Sequence, residues 1–573
     1  MPVQNSEVED VFNKVADLLE IEGENQFRVR AYRDAARTVG GHSRSVAEMV
    51  QQDEDLTELP GIGKDLAGKI REIVESGKLS QAEELEKRTD PGLRELLRLP
   101  GLGRERVREL HERLGVRSLQ ELEAAAHDGK ISELPGFGKK TEQNILEAIE
   151  QGSTTEKRVK LSVAEEVAKS LEDYLKGIKA VDEAVVAGSY RRKQETVGDL
   201  DVVVASKKGV EVIGNFVEYE DVQKVVSKGK TRTSVVLRSG LQVDLRVIPK
   251  ESFGAALLYF TGSQPHHVAL RDMSLKKKLK INEYGLFEGE DRVAGHTEEE
   301  IYNKLGLAYV EPELREQRGE LEVARKDNLP KLMRQKEIRG DLHSHTDATD
   351  GRNSLEEMAR AAKERGYDYL AITNHSKRLR MVNGLDEMRL RKQMEEIDRL
   401  NEKLGGITVL KGVEVDILEH GSLDLPDDVL EELDIVVCSV HYKFGLSEKK
   451  QTERIMCAMQ NPNANVIAHP TGRMIGERQP YDVDMERVIE AAKENDCFLE
   501  LNANPKRLDL NDVYCKMAKE MGVKISVSTD AHSTSGLDNM CFGIGQARRG
   551  WLEKKDVINT RTLKQLKKLL KRG

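Results

Sequence analysis

The sequence predicts a multidomain protein of mixed class, α+β over its first 317 residues and α/β beyond them. Three observations predict it. A Leu-Pro-Gly-x-Gly turn occurs three times before residue 140, each time ahead of a basic amphipathic helix. Two strand-like segments in the middle of the chain carry aspartates on one face. From residue 339, seven short apolar strands alternate with helices, and His, Asp and Glu stand at the strand ends.

At 573 residues the chain exceeds what one core can serve, and about four domains are expected. Hydrophobic residues at 38% and charged residues at 34% describe a soluble globular protein. No apolar run reaches the roughly 18 residues of a membrane span. The opening "MPVQNSEVEDVFNKVADLLE" is acidic and amphipathic, unlike a secretion signal. Five cysteines, all beyond position 437 and without a Cys-x-x-Cys pair, argue against a disulfide framework and a thiolate zinc site, so a reducing cytoplasm is expected. A net charge of −10 requires any nucleic-acid binding to come from local patches.

The repeats are "LTELPGIGKDLAGKIREIVESG" (56–77), "LLRLPGLGRERVRELHERLG" (96–115) and "ISELPGFGKKTEQNILEAIE" (131–150). A proline and two glycines in five residues enforce a tight hairpin free of side chains. Its backbone N–H groups, at the start of the second helix, are open to a phosphate. Lys64, Arg104, Lys139 and Lys140 follow at once and add charge there. A single copy reads as a helix turn in a bundle, but three copies with a basic residue after each second glycine do not. The segments resemble helix-hairpin-helix motifs, which grip the DNA backbone without reading sequence. The resemblance covers Gly61, Gly63, Gly101, Gly103, Gly136 and Gly138.

In "VVAGSYRRKQETVGDLDVVVAS" (185–206), alternation puts Asp199 and Asp201 on one face and Leu200 and Val202 on the other. In "SGLQVDLRVIP" (239–249), Val243, Leu245 and Val247 form the apolar face, leaving Gln242, Asp244 and Arg246 opposite. If these strands are neighbours, three carboxylates converge, which is costly unless a divalent metal neutralises them. Oxygen-only ligation suits magnesium or manganese. Gly188 and Ser189 precede two arginines as a phosphate clamp would, and Arg192 has the fork that fits phosphate oxygens. The competing reading is a set of surface acids on an edge strand.

"GSYRR", "GDLD" and "VDLR", followed by "LLYFTGSQPHHVALR" (257–271), resemble a family X DNA polymerase of the polymerase beta type. "GSYRR" with "GDLD" fits any nucleotidyltransferase of that superfamily; "YFTGS", the hairpins and "RVRAYRDAARTV" (28–39) narrow it to the DNA-repair branch. The resemblance implies a nucleotidyltransferase palm with a mixed sheet and a small thumb-like subdomain. Asp199 and Asp201 would bridge two metals, and Asp244 would hold the catalytic one and help deprotonate the primer 3′-hydroxyl. Gly188, Ser189, Arg192 and Gly198 would hold the triphosphate, helped by Arg158. Tyr259, Phe260 and Gly262 would pack against the sugar, and Arg271 would reach the template minor groove. His267 stands where the family commonly has an asparagine. The family's lyase lysine aligns with Lys69, for which a plain phosphate contact is the alternative role.

Residues 318–338 are charged and read as a linker or surface helix. The strands expected beyond them are "RGDLHSH", "YDYLAIT", "ITVLKGVEV", "LDIVVCSV", "ANVIAHP", "CFLELN" and "VKISVST", a parallel barrel one strand short of eight. His343, His345, Asp350, His375, Glu414, His441, His469, Asp530 and His532 fall around one rim. One such histidine would be a packing residue, whereas nine donors at successive strand ends form a metal site. The set resembles a PHP (polymerase and histidinol phosphatase) domain. That implies a trinuclear cluster of zinc, manganese or iron and attack by metal-activated water on phosphorus. The usual "TDHS" reads "TNHS" here, so Asn374 is expected to alter the surroundings of His375 and weaken activity.

The domains expected are therefore 1–90 (helical, DNA-end binding), 91–155 (helix-hairpin-helix), 156–250 (palm), 251–317 (nucleotide and template contacts), 318–338 (linker) and 339–573 (PHP (β/α)7 barrel). The expected function is gap-filling DNA repair synthesis joined to a 3′-5′ exonuclease or phosphodiesterase, with abasic-site cleavage also implied by the family. Expected partners are gapped or nicked double-stranded DNA and deoxynucleoside triphosphates, with no membrane, and the protein is expected as a cytoplasmic monomer. Two rivals remain: a phosphatase of small esters with a passenger polymerase half, and a DNA-end scaffold with silent sites.

Overall fold

The structure is a computed structural model that describes residues 3, 5–42, 44–88, 93, 96, 99, 102, 104–150 and 158–571, the side chains of 6, 26, 104, 105, 140, 144, 147, 148 and 150 excepted. Two compact units divide the chain, 1–158 and 159–573.

The first unit is helical. Asn5–Ile21 and Gln26–Gly40 pair around Phe12 and Tyr32, whose rings meet edge to face at 5.6 Å. Asn25 starts the second helix by accepting from the Phe27 N–H. The helix Lys64–Ser76 buries Leu66, Ala67, Ile70 and Ile73 on one face and ends on the left-handed Gly77. A second core gathers Leu96, Leu102, Leu110, Leu122, Ile131 and Phe137.

The second unit opens with a five-stranded mixed sheet in the order Glu183–Val186, Asp199–Ala205, Gln242–Ile248, Arg232–Leu237, Val222–Lys228. Asp199–Ala205 and Gln242–Ile248 are parallel neighbours, with Asp201 directly opposite Asp244. Leu200, Val202, Val243 and Leu245 face the opposite side and are fully buried beneath the helix Leu161–Lys176. The alternation read from the sequence therefore sets both the core and the acidic face.

A small α/β subdomain follows: helices Phe253–Thr261 and Gln264–Lys276, an antiparallel three-stranded sheet, and the helix Glu298–Leu305. The segment 318–338, expected as a linker, belongs to this packing instead. It contains the helix Glu320–Arg325, and its Leu321, Ala324 and Leu332 share a core with Ile301, Leu305 and Trp551. Its charged look misled because Glu320 is spent inside, where it accepts from the backbone N–H groups of Gln317 (2.9 Å) and Arg318 (2.7 Å) and bonds His266 at 2.6 Å.

The remaining residues form a seven-stranded all-parallel sheet in sequential order: Gly340–Asp341, Tyr369–Ile372, Thr408–Asp416, Ile435–Ser439, Val466–Ile467, Phe498–Asn502 and Ile525–Ser528. A parallel bridge from Ser344 to Ala531 joins the two end strands and nearly closes the barrel. The helices wrap it with alanine-rich inner faces, as Leu355–Glu364 does through Met358, Ala359, Ala361 and Ala362 behind a Ser354–Glu357 capping box. Ion pairs tie barrel to sheet domain: Lys160–Glu477 at 2.5 Å, Arg473–Glu195 at 2.7 Å and Arg548–Glu313 at 2.7 Å. Among the described residues no helix is long and apolar enough to cross a membrane.

Candidate active sites

The hairpins are built alike. Leu59, Leu99 and Leu134 each accept from the N–H three residues on, at 3.1, 3.1 and 3.0 Å, and those residues, Ile62, Leu102 and Phe137, are buried. The variable position of Leu-Pro-Gly-x-Gly is thus an apolar plug, a signal the sequence offers in all three copies. Gly61 and Gly136 take φ of +78° and +79°, which disfavours any side chain. A Cβ on Gly61, Gly63, Gly136 or Gly138 would have nothing within 4 Å, so the first and third turns leave their backbone open, and Lys64 and Lys139 begin the helices behind them. Gly101 and Gly103 lie outside the described residues, as do the side chains of Arg104 and Lys140. Lys69 pairs with Asp65 and lies 5.2 Å from the Tyr32 ring centroid. Burial pulls its pKa down, but Asp65 and Tyr32 outweigh that and the net shift is upward, which keeps the amine charged.

In the sheet domain, Asp199, Asp201 and Asp244 share one face of two hydrogen-bonded strands. Burial, then the neighbouring charges of Asp199 and Asp244, push Asp201 up to about 7. Asp244 is fixed by the Ser234 hydroxyl, which donates to its Oδ1, and by Gln242 Nε2 at 2.8 Å from its Oδ2. Ser234 lies opposite Asp244 on the next strand and was not singled out from sequence. A carboxylate whose ionisation is opposed by burial and by neighbouring acids, among oxygen donors alone, fits a divalent cation.

The turn beside this triad requires Gly188. Its φ is +62°, and a Cβ there would lie 2.8 Å from Asp201 Oδ2. Ser189 and Arg192 follow in the short helix turn, and Gly198 precedes the acidic strand. Arg192 donates from Nη1 to the Thr261 carbonyl at 2.6 Å and from Nε to Glu316 at 3.1 Å, which brings Gly262 beside it. Tyr259 and Phe260 meet edge to face at 5.1 Å, and Tyr259 also contacts His267 at 4.7 Å. Burial and the nearby His266 and Arg271 press His267 down to about 4, so it is neutral. Arg271 is exposed, and Arg158, also exposed, ends the first unit.

The barrel brings all nine expected donors to one end. Glu414 is the hub: carboxylate-to-imidazole distances are 2.9 Å to His375, 3.0 Å to His469, 3.3 Å to His441, 3.4 Å to His343 and 3.5 Å to His345. Asp530 lies 3.1 Å from His345, and Asp350 lies 3.2 Å from His532 and 3.3 Å from His375. Three overlapping groups can each hold an ion: His345, Asp350, His375 and His532; His343, His345 and Asp530; His375, Glu414 and His441. The buried Nε2 of His343, both nitrogens of His345 and Nδ1 of His375 sit 2.9–3.7 Å from carboxylate oxygens yet make no hydrogen bond. Buried polar atoms so placed fit metal ligation. Burial, His532 and His375 press His345 down to about 3, leaving the neutral, ligating form. Burial would raise the Glu414 carboxyl, but His375, His343 and His441 hold it well below the usual range.

A supporting layer went unread in the sequence. Glu500 accepts from the His469 N–H at 2.9 Å and bonds His343 Nδ1 at 2.7 Å; Asp416 meets His441 Nδ1 at 3.2 Å; Asp341 bonds the His343 N–H and Thr529. The available signal was a charged residue inside a strand otherwise apolar on both faces, "FLELN" and "GVEVD". Arg507 was also missed. Its Nε lies 3.7 Å from Asp530, and its buried Nη1 has no hydrogen-bond partner.

Asn374 does something other than expected. It does not bond His375: Oδ1 accepts from the Thr346 N–H (2.8 Å) and the Thr349 hydroxyl (2.9 Å), while Nδ2 donates to Thr346 Oγ1 (2.8 Å) and Gln393 Oε1 (2.6 Å). Its effect is to order the loop that carries Asp350.

Fold and sites define a nucleotidyltransferase joined in one compact unit to a metal-dependent phosphoesterase barrel. Family models for the DNA polymerase beta palm match residues 158–259, for the DNA polymerase beta thumb 256–316, for helix-hairpin-helix domains 3–79 and 93–151, and for the PHP domain 341–504. The DNA polymerase/3′-5′ exonuclease PolX of Bacillus subtilis (strain 168) is 39% identical over 98% of both chains. A probable phosphatase of Thermoanaerobacter sp. (strain X514) is 33% identical over 38% of this chain and 89% of its own, and one of Caldanaerobacter subterraneus is 34% identical over 36% and 78%. The chain belongs to the family X DNA polymerases that carry a C-terminal PHP domain.

Proposed function

We propose that the protein fills short gaps in double-stranded DNA by template-directed transfer from deoxynucleoside triphosphates, and that its barrel trims DNA 3′ ends as a 3′-5′ exonuclease or phosphodiesterase. The carrying observation is that two chemically different, complete donor sets share one compact unit: an oxygen-only triad and a histidine-rich rim. A passenger polymerase half has no need of the triad, and a silent scaffold has no need of either set.

In the polymerase half, Asp199 and Asp201 would hold two magnesium or manganese ions and Asp244 one of them. When bound, such ions ease deprotonation of the primer hydroxyl and neutralise the departing pyrophosphate. Ser234 and Gln242 keep Asp244 aimed at the primer end. Ser189 and Arg192 take the triphosphate, Gly188 lets that turn approach the acids, and Tyr259 and Phe260 form the wall for the sugar. His267, being neutral, adds no charge beside the base. Arg271 is free to reach the template, and the open hairpin turns take backbone phosphates. Lys69, paired with Asp65 beside Tyr32, is read as a DNA contact.

In the barrel half the rim would hold a three-ion cluster of zinc, manganese or iron, which when bound supplies Lewis acidity and activates water toward phosphorus. Asp350 and His532 are the most exposed members and mark the side from which a DNA end enters. Arg507 offers its unpaired guanidinium nitrogen to the scissile phosphate. The phosphatase relatives favour a second use of the same centre, removal of a terminal phosphate monoester. We place the protein in the cytoplasm, as a monomer acting in base excision repair.

A labelled primer spanning a short gap tests the reading, with magnesium or manganese supplied. The primer should lengthen to the gap's end with nucleotides and shorten without them. Lengthening without shortening under either metal would leave the polymerase reading standing and remove the exonuclease.

A further inference from the structure

Among the contacts between the barrel domain and the nucleotide end of the palm, one reaches the backbone of Arg192. The helix Met540–Arg549 lies against the turn after Gly188, with Gly545 next to the Lys193 side chain. At its end Arg549, buried, donates from Nη1 to the Arg192 carbonyl at 2.9 Å and to Glu316 Oε1 at 2.8 Å, and from Nη2 to Asp512 at 2.6 Å. The same Glu316 oxygen accepts from Gln194 at 2.7 Å and from Arg192 Nε at 3.1 Å, its longest bond. Asp512 also pairs with Arg318 at 2.9 Å. Three guanidinium groups, those of Arg192, Arg318 and Arg549, thus share two carboxylates, those of Glu316 and Asp512. Lys516, which donates to the Arg318 carbonyl, has Glu520 at 3.8 Å and leaves that balance unchanged.

Arg192 also faces Asp201 of the acidic triad, so its guanidinium stands between two carboxylates, and whichever partner Glu316 takes decides how far Arg192 is committed before an anion arrives. We propose that Arg549, though carried by the barrel, is a positioning residue of the polymerase reaction: by occupying Glu316 and holding the Arg192 backbone it leaves the Arg192 guanidinium available to a triphosphate. Without Arg549, Glu316 keeps Arg192 as its charged partner and competes with the nucleotide for it. This rests on the reading of Arg192 as a triphosphate ligand.

The test uses the full-length protein, single-nucleotide extension on gapped DNA, and exonuclease rate and DNA affinity on the same preparations. Arg549→Ala should raise KM for the nucleotide roughly tenfold with kcat and DNA affinity little changed, and Arg549→Lys should recover part of it. Adding Glu316→Gln to Arg549→Ala removes the competitor and should lower KM again, which a merely structural role would not produce. The inference is overturned if KM is unmoved in Arg549→Ala, or if extension and exonuclease fall together and Glu316→Gln deepens the loss. Arg192→Ala separates the two claims. If it raises KM while Arg549→Ala does not, only the coupling fails. If it leaves KM unmoved, the Arg192 reading fails and the coupling with it.

Discussion

The two centres solve one problem, holding divalent ions against phosphate, with opposite economies of structure. The palm places three carboxylates on two adjacent strands, with Asp199 exposed and Asp201 and Asp244 half-buried. The barrel uses nine donors from the ends of successive strands, most of them buried, and backs them with Glu500, Asp416 and Asp341. A sparse, open site depends on each ligand for chemistry, whereas a dense, buried one also depends on its ligands for the stability of the fold.

That contrast can be broken most sharply at Asp244. Asp244→Ala should cut nucleotide incorporation by about a thousandfold or more while leaving 3′ trimming intact, read on one labelled primer with and without nucleotides. Trimming lost in parallel would mean that the halves are not chemically separate. Next in size is a joint near the palm, where Glu298 bonds Arg191 and Arg315. Burial pushes its carboxyl up, but Arg315 and Arg191 overcome this and bring it from 4.5 down to about 2. A depressed carboxyl stabilises the folded state above pH 4.5, and that contribution fades as pH falls toward 2. Glu298→Gln should therefore cost about 3 kcal/mol at pH 7 and progressively less below pH 4.5, measured by urea unfolding at a series of pH values. A difference that does not depend on pH would sink the assignment.

Arg507→Ala should slow trimming about a hundredfold with polymerase activity and metal content unchanged. Metal analysis of the purified variant decides the matter, since loss of metal would make Arg507 a support for Asp530 instead of a phosphate ligand. The smallest effect is expected at Asn374. Asn374→Asp removes two donated hydrogen bonds, one to Thr346 in the loop before Asp350 and one to Gln393, and should cost about 1 kcal/mol, with trimming altered by less than about threefold. A larger fall in activity at unchanged Tm would restore a direct influence on His375.

Much of both sites was legible because each obeys a simple period. Alternation placed Asp199, Asp201 and Asp244 on one face, and strand-end spacing gave the nine rim donors: eight fall into the three metal-capable groups, and His469 joins them through Glu414. What stayed hidden depends on partners distant in sequence. Ser234 matters only because register sets it opposite Asp244. Glu500 looks like any strand acid until His343, 157 residues earlier, lies beside it. The segment 318–338 looked solvated because charge was counted without knowing that Glu320 is satisfied internally by His266 and two backbone N–H groups. Asn374 was misplaced for a similar reason: adjacency to His375 in sequence says nothing about where its amide points.

The most direct test crosses the two centres on a primer over a short gap, comparing the intact protein, Asp244→Ala and His343→Ala. Without nucleotides the primer should shorten with the intact protein and Asp244→Ala but not with His343→Ala. With nucleotides it should lengthen with the intact protein and His343→Ala but not with Asp244→Ala. Shortening by His343→Ala, or extension by Asp244→Ala, would contradict the assignment of trimming to the barrel and synthesis to the palm.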